Sequence, residues 1–189
     1  MVAATITGGN VLIKNVIPKH LEPITSKLEK AGATIEEFDD SLRVYRTGDL
    51  EPLNIKTMPH PGFPTDMQPL MTVLLTLAKG TSIITEGIWE NRFRYVDELT
   101  RMGANIQVDG RVAVIEGVQE LLPAPMRAAD LRAGAALVVA ALAADGVSEV
   151  DEICHIERGY EDIVEKLRGL GADIKRVEKP AGVLRQAAL

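Results

Sequence analysis

Three segments of this chain repeat one pattern, and that repetition limits the fold more than any other feature. Gly-Ala-Thr-Ile (32–35), Gly-Ala-Asn-Ile (103–106) and Gly-Ala-Asp-Ile (171–174) each follow a basic, Leu-containing stretch. Glycine fits the left-handed position just past a helix, and a basic last turn suits the helix dipole. Each segment therefore predicts a helix end, with the isoleucine opening a strand. The helices before them share a stripe. Leu21, Ile24, Leu28 and Ala31 recur as Arg92, Tyr95, Leu99 and Met102, and again as Tyr160, Ile163, Leu167 and Leu170. These offsets define one face of an amphipathic helix. In the middle copy, an arginine stands at the first inward position.

Strands are predicted before those helices at 10–16, 81–88 and 147–154, each after a glycine turn, and after them at 41–46 and 111–118. A second kind of helix occurs twice, from Asp66 to Leu77 and from Asp130 to Val139. Past the first turn both are apolar all round, as in fully buried helices. Short strands lead into them at 54–57 and 125–128. The unit is strand, buried helix, strand, amphipathic helix, strand, strand. The middle copy reads as complete. The first is expected to lack its opening strand and buried helix, and the third its last strand, as if cut from a longer chain. Residues 1–178 form the domain, and 179–189 a tail.

Composition narrows the function classes. Aromatics are 4% of 189 residues, so the core must be aliphatic. A net charge of −6 argues against a general nucleic-acid binder, but not against an anionic small molecule held by a few arginines. The single cysteine, Cys154, permits no internal disulfide and fits a reducing cytoplasm. The longest apolar run, 133–144, is too short to span a bilayer. Cys154 is expected to end a buried strand. His20, His60 and His155 are scattered, so no metal site and no cofactor is expected.

Asp66 and Asp130 each open a buried helix. Capping explains such an aspartate. Repeated helices that point their starts the same way would instead gather both carboxylates at one mouth, where anions also bind. The loop Pro59-His60-Pro61-Gly62-Phe63-Pro64 is stiff enough to hold Asp66 as a general base, or is only a constrained turn. Arg92 and Arg158 each lie 12 residues after a repeat glycine, Gly80 and Gly146. Their forks suit carboxylate or phosphate. Ion pairs with Glu90, Glu157, Asp66 or Asp130 would explain them equally well.

The motifs Pro59-His60-Pro61-Gly62-Phe63-Pro64-Thr65-Asp66-Met67-Gln68, Glu90-Asn91-Arg92-Phe93, Arg101-Met102-Gly103-Ala104, Asp130-Leu131-Arg132-Ala133 and His155-Ile156-Glu157-Arg158-Gly159-Tyr160 occur in this order. Together they resemble the UDP-N-acetylglucosamine 1-carboxyvinyltransferases, enolpyruvyl transferases that open peptidoglycan synthesis. The resemblance covers nearly the whole chain. It implies an α/β fold of the enolpyruvyl transferase kind: an inside-out barrel of repeated βαβαββ units, helices inside and sheets outside. It further implies the C-terminal one of two domains, without its short N-terminal segment.

The implied reaction moves the enolpyruvyl group of phosphoenolpyruvate to the 3′-hydroxyl of UDP-N-acetylglucosamine. By the same resemblance, Asp66 binds the sugar and accepts its proton, Arg158 holds phosphoenolpyruvate, and Ile88 meets the nucleotide through its backbone. Asp130, Arg132, Arg92 and Glu90 line the cleft. The family's proton-donating cysteine or aspartate belongs to the other domain. Cys154 does not match it, and the isolated chain is expected to be inactive. Trp89 departs from the phenylalanine common in the family. The other readings are a non-catalytic sugar-nucleotide-binding module and a 5-enolpyruvylshikimate-3-phosphate synthase-like domain.

Overall fold

The computed structural model describes residues 1–178; the tail expected at 179–189 lies outside them. The middle repeat shows the whole unit. It runs β4 (Asn54–Lys56), a 3-10 turn (Thr65–Met67), α3 (Gln68–Leu75), β5 (Thr81–Thr85), a second 3-10 turn (Arg92–Tyr95), α4 (Val96–Arg101), β6 (Asn105–Asp109) and β7 (Val112–Glu116). Its sheet order is β4-β5-β7-β6. β4 and β5 are parallel, joined through α3; β5 with β7 and β6 with β7 are antiparallel.

The first repeat is α1 (Val2–Thr7), β1 (Asn10–Lys14), α2 (Pro18–Lys30), β2 (Thr34–Glu37) and β3 (Ser41–Tyr45), with sheet order β1-β3-β2. The third is β8 (Pro125–Arg127), α5 (Leu131–Ala143), β9 (Glu149–Asp151), α6 (Cys154–Glu157) and α7 (Ile163–Gly169), with β8 parallel to β9.

α1, α3 and α5 pack against one another, and the three sheets lie around them. Met71, Val73, Leu74 and Leu75 of α3 are fully buried, as are Ala136, Leu137 and Ala140 of α5. Strands turn one face to these helices. Leu42 and Val44 of β3, Ile84 of β5, and Ala113 and Ile115 of β7 are buried, with exposed residues between several of them. The period-2 alternation is what one buried sheet face requires. This is an α/β fold with helices inside and sheets outside.

The repeat glycines do what the pattern predicts. Gly32, Gly103 and Gly171 have φ of 98°, 86° and 97°. After each, the alanine N–H donates to the leucine carbonyl five residues back: Ala33 to Leu28 at 2.9 Å, Ala104 to Leu99 at 3.1 Å, Ala172 to Leu167 at 3.0 Å. The glycine N–H closes the inner ring, at 2.9–3.0 Å in all three. This is the Schellman ending, which satisfies carbonyls that a helix end leaves bare.

Four expectations need correction. The first repeat does keep part of its buried helix, as α1. Six residues of Val-Ala-Ala-Thr-Ile-Thr are too few to show a period, and only packing on α3 and α5 reveals them. The strands before the amphipathic helices are shorter than predicted. Asn15 and Glu152 turn to positive φ, 58° and 60°, and end the extended run. Cys154 consequently does not end a buried strand; it is exposed at the start of α6. The third repeat lacks both closing strands among the described residues, and 172–178 carry no regular structure. Its inward stripe is accordingly open: Tyr160 is 37% exposed and Leu170 63%.

Candidate functional site

The starts of the two long buried helices do meet. Asp66 sits in the 3-10 turn that leads into α3, and Arg132 is the second residue of α5. The two form a bidentate pair, Nε to Oδ1 and Nη2 to Oδ2, the second at 3.0 Å. Arg92 approaches the same carboxylate, its Nη2 3.5 Å from Oδ1. The hydrogen bond from Arg132 to Asp66 is the main cause that raises the Arg132 pKa above its ordinary value. The site thus joins two repeats, and the sequence alternatives for Arg92 resolve to Asp66 rather than Glu90.

The two aspartates behave differently. Oδ1 of Asp130 accepts the N–H of Arg132 at 2.8 Å and of Ala133 at 2.9 Å, an N-cap in the ordinary sense. Asp66 makes no cap hydrogen bond. The rigid loop before it is real. Met58 N–H donates to Phe63 at 2.9 Å, Gly62 N–H to Pro59 at 2.8 Å, and Phe63 is buried.

Glu86, which the sequence reading passed over, organises the ground beneath Asp66. It is 1% exposed. Its Oε1 accepts the Thr57 hydroxyl at 2.7 Å and the N–H groups of Ile88 and Trp89 at 2.8 and 3.1 Å. Its Oε2 accepts the Thr65 hydroxyl at 3.0 Å. Thr65 in turn accepts Nε and Nη2 of Arg92 at 3.3 and 3.2 Å. Gly87 packs so closely on Thr57 that an added Cβ would lie 2.5 Å from its carbonyl oxygen. Two threonines, a glycine and a glutamate carry no motif that flags such a network in sequence.

Asp66 and Ile88 line one cleft of about 440 Å³ with His20, Ile24, Met58 and His60. His20 and His60, scattered in sequence, therefore share a wall. Glu90 is elsewhere. It is tied to Arg111 at 3.0 Å and does not reach Arg92. Arg158 has no ion-pair partner among the described residues; the neighbouring Glu157 pairs with Arg176 at 2.8 Å. It lines a separate cleft of about 630 Å³ with residues 157–165. Tyr160 lines this second cleft. Burial pushes its pKa up, and it feels the charges of Arg132 and Asp66.

Known proteins resemble this chain in sequence and fold. A family model described as EPSP synthase (3-phosphoshikimate 1-carboxyvinyltransferase) matches residues 1–167. UDP-N-acetylglucosamine 1-carboxyvinyltransferase from Desulfofundulus thermocisternus is 56% identical over 93% of this chain and 72% of its own length. The chain belongs to the UDP-N-acetylglucosamine 1-carboxyvinyltransferase family. UDP-N-acetylglucosamine 1-carboxyvinyltransferase 3 of Caldanaerobacter subterraneus subsp. tengcongensis is 57% identical over 95% of this chain, which spans 43% of that relative's length.

Among solved structures, the enolpyruvyl transferase NikO from Streptomyces tendae superposes with a TM-score of 0.85 at 32% identity. The match covers 92% of this chain and 42% of NikO. EPSP synthase from Acinetobacter baumannii shares the fold, with a TM-score of 0.60 at 20% identity over 84% of this chain and 40% of its own. At 56% and 57% identity, the two UDP-N-acetylglucosamine 1-carboxyvinyltransferases are more similar to this chain in sequence than this EPSP synthase is. Among the described residues, no helix is long and apolar enough to cross a membrane.

Proposed function

We propose that this chain supplies one wall of the active site of a cytoplasmic UDP-N-acetylglucosamine 1-carboxyvinyltransferase, the first committed step of peptidoglycan synthesis. The reaction adds the sugar 3′-hydroxyl across the double bond of phosphoenolpyruvate, then eliminates phosphate to leave the enolpyruvyl ether. The observation that carries the reading is Asp66 held at the meeting of two helix starts between Arg92 and Arg132.

In this reading Asp66 accepts the hydroxyl proton and binds the sugar. Each of its oxygens accepts one hydrogen bond from Arg132, and the side chain is half-exposed, so lone pairs remain to take the sugar hydroxyl. Arg92 and Arg132 present remaining N–H groups to phosphate or carboxylate, the anions that arginine forks fit. Arg158, which has no ion-pair partner among the described residues, holds phosphoenolpyruvate. Ile88 faces the sugar nucleotide through its carbonyl, since Glu86 already takes its N–H. Asp130 acts through the cap that sets Arg132, and Glu90 by fixing the Ile88 loop to Arg111.

The proton donor to the phosphoenolpyruvate methylene belongs to the other domain, and the 189-residue chain alone does not turn over. Purified chain given both substrates should release no phosphate; release at a measurable rate overturns this. In the complete two-domain enzyme, Asp66→Ala and Arg158→Ala should each lower turnover by roughly 100-fold or more, as removal of groups that act on the transition state does. Unchanged turnover in either variant refutes its role. Sugar-nucleotide binding by the isolated chain without any gain in turnover on adding the other domain would favour the non-catalytic module instead.

A further inference from the structure

A buried carboxylate is costly unless donors surround it. Glu86 has four, and they come from three segments of the chain. One oxygen holds the Ile88–Trp89 loop and Thr57. The other holds Thr65, which is next to Asp66 and bonded to Arg92. The two walls of the cleft are therefore referred to a single side chain.

The repeats show that the fold itself does not need this. Glu86 lies six residues after Gly80, and Glu152 six residues after Gly146. The register of β5 on β4 and of β9 on β8 makes Thr57 equivalent to Ala128. With alanine there, Glu152 turns outward at positive φ and pairs with surface Arg127. The same strand end is thus built in the third repeat with no buried carboxylate. Burial of Glu86 is confined to the repeat whose following loop borders Asp66.

We infer that Glu86 is a positioning residue of the Asp66 site, setting Asp66 and Arg92 through Thr65 and the nucleotide-facing loop through the amides of Ile88 and Trp89. The inference rests on the proposed reaction for its catalytic part only. A carboxylate accepts from all four donors. A glutamine of the same shape turns an NH₂ toward one side and breaks the arrangement there.

Two experiments test it. Trp89 is the single tryptophan of the chain, so fluorescence anisotropy of the 189-residue protein reads the order of its loop directly. Glu86→Ala, which removes both acceptor oxygens, should lower that anisotropy with circular dichroism unchanged, while Glu152→Ala leaves it alone. A folded Glu86→Ala protein with unchanged anisotropy overturns the loop half. In the complete enzyme, Glu86→Gln should raise KM for the sugar nucleotide and lower kcat, each by about 10-fold or more, since small misplacements cost this much.

Thr65→Val cuts only the second link and should lower kcat while keeping Trp89 anisotropy. Unchanged kcat in Thr65→Val overturns the Asp66 half, even if Glu86→Gln fails to fold. Should the unsubstituted complete enzyme form no enolpyruvyl product, the reaction assignment fails, and the anisotropy arm still judges Glu86.

Discussion

Asp66 and Asp130 look alike in sequence, each before an apolar helix, and the environment separates them. Asp130 spends its carboxylate on two backbone N–H groups. Asp66 spends its own on two arginines and caps nothing. Their alanine variants should therefore part. Asp130→Ala should lose about 1 kcal/mol of stability, the usual worth of an N-cap. Asp66→Ala should lose less, because its side chain is 56% exposed and surface ion pairs contribute little. Urea unfolding of the two variants measures the difference. Tyr95 gives a pH test at the same scale. Its hydroxyl lies 2.7 Å from Thr72 Oγ1 in full burial, and burial raises its pKa far above 10. A raised pKa means that the neutral form is favoured in the folded state. Its contribution is complete below pH ~10 and is lost as pH rises beyond that, by about 1.4 kcal/mol per pH unit. Tyr95→Phe should flatten the alkaline fall in stability measured by unfolding between neutral pH and strongly alkaline buffer.

At the scale of elements, helix ends were legible and helix faces only partly so. The Gly-Ala pattern marks a Schellman ending because only glycine takes that φ cheaply, and no distant contact can override it. Gly103→Val should cost about 1–2 kcal/mol through left-handed strain. Gly134 tests packing instead. An alanine there would improve helix propensity by about 1 kcal/mol. Its Cβ would also lie 2.6 Å from Ile156 Cγ1 and 2.9 Å from Ala128 Cβ. Overpacking of about 1–3 kcal/mol should win, so Gly134→Ala should lower the melting temperature. A higher melting temperature would show that α6 yields. The stripe through Tyr160 and Leu170 was misread for a related reason. Periodicity says that a face is apolar, not that anything covers it, and among the described residues of the third repeat no closing strand does so.

At the scale of the molecule, three copies of one unit turn their buried helices toward one another, and the helix starts follow. Repetition made that arrangement readable, because equivalent elements in equivalent sheets share a direction. Arg92 and Arg158 stood at matching positions, yet the structure uses them differently. Arg92 is 13% exposed and bound to Asp66, whereas Arg158 is exposed and unpaired among the described residues. The family resemblance located Asp66, Arg92, Arg132 and Ile88 together, and the structure brings them together. Glu90 and Arg158 it sets apart, facing Arg111 and a second cleft.

The amino-acid order by itself determined the local terms: where helices end, which strands alternate, which helices are apolar throughout, and which family the motifs resemble. These depend on backbone conformation and on periodicity, both of which act over a few neighbouring residues. Tertiary structure decided which aspartate is a cap and which is held by arginines, and that Glu86 is buried. It also decided that six N-terminal residues make an inner helix. The deciding partners are distant in the chain: Thr65 and Glu86 are 21 residues apart, Asp66 and Arg132 are 66, and α1 packs on α5 from further still. Charge and hydrogen bonding are settled by which groups arrive at contact distance, and no local pattern carries that information.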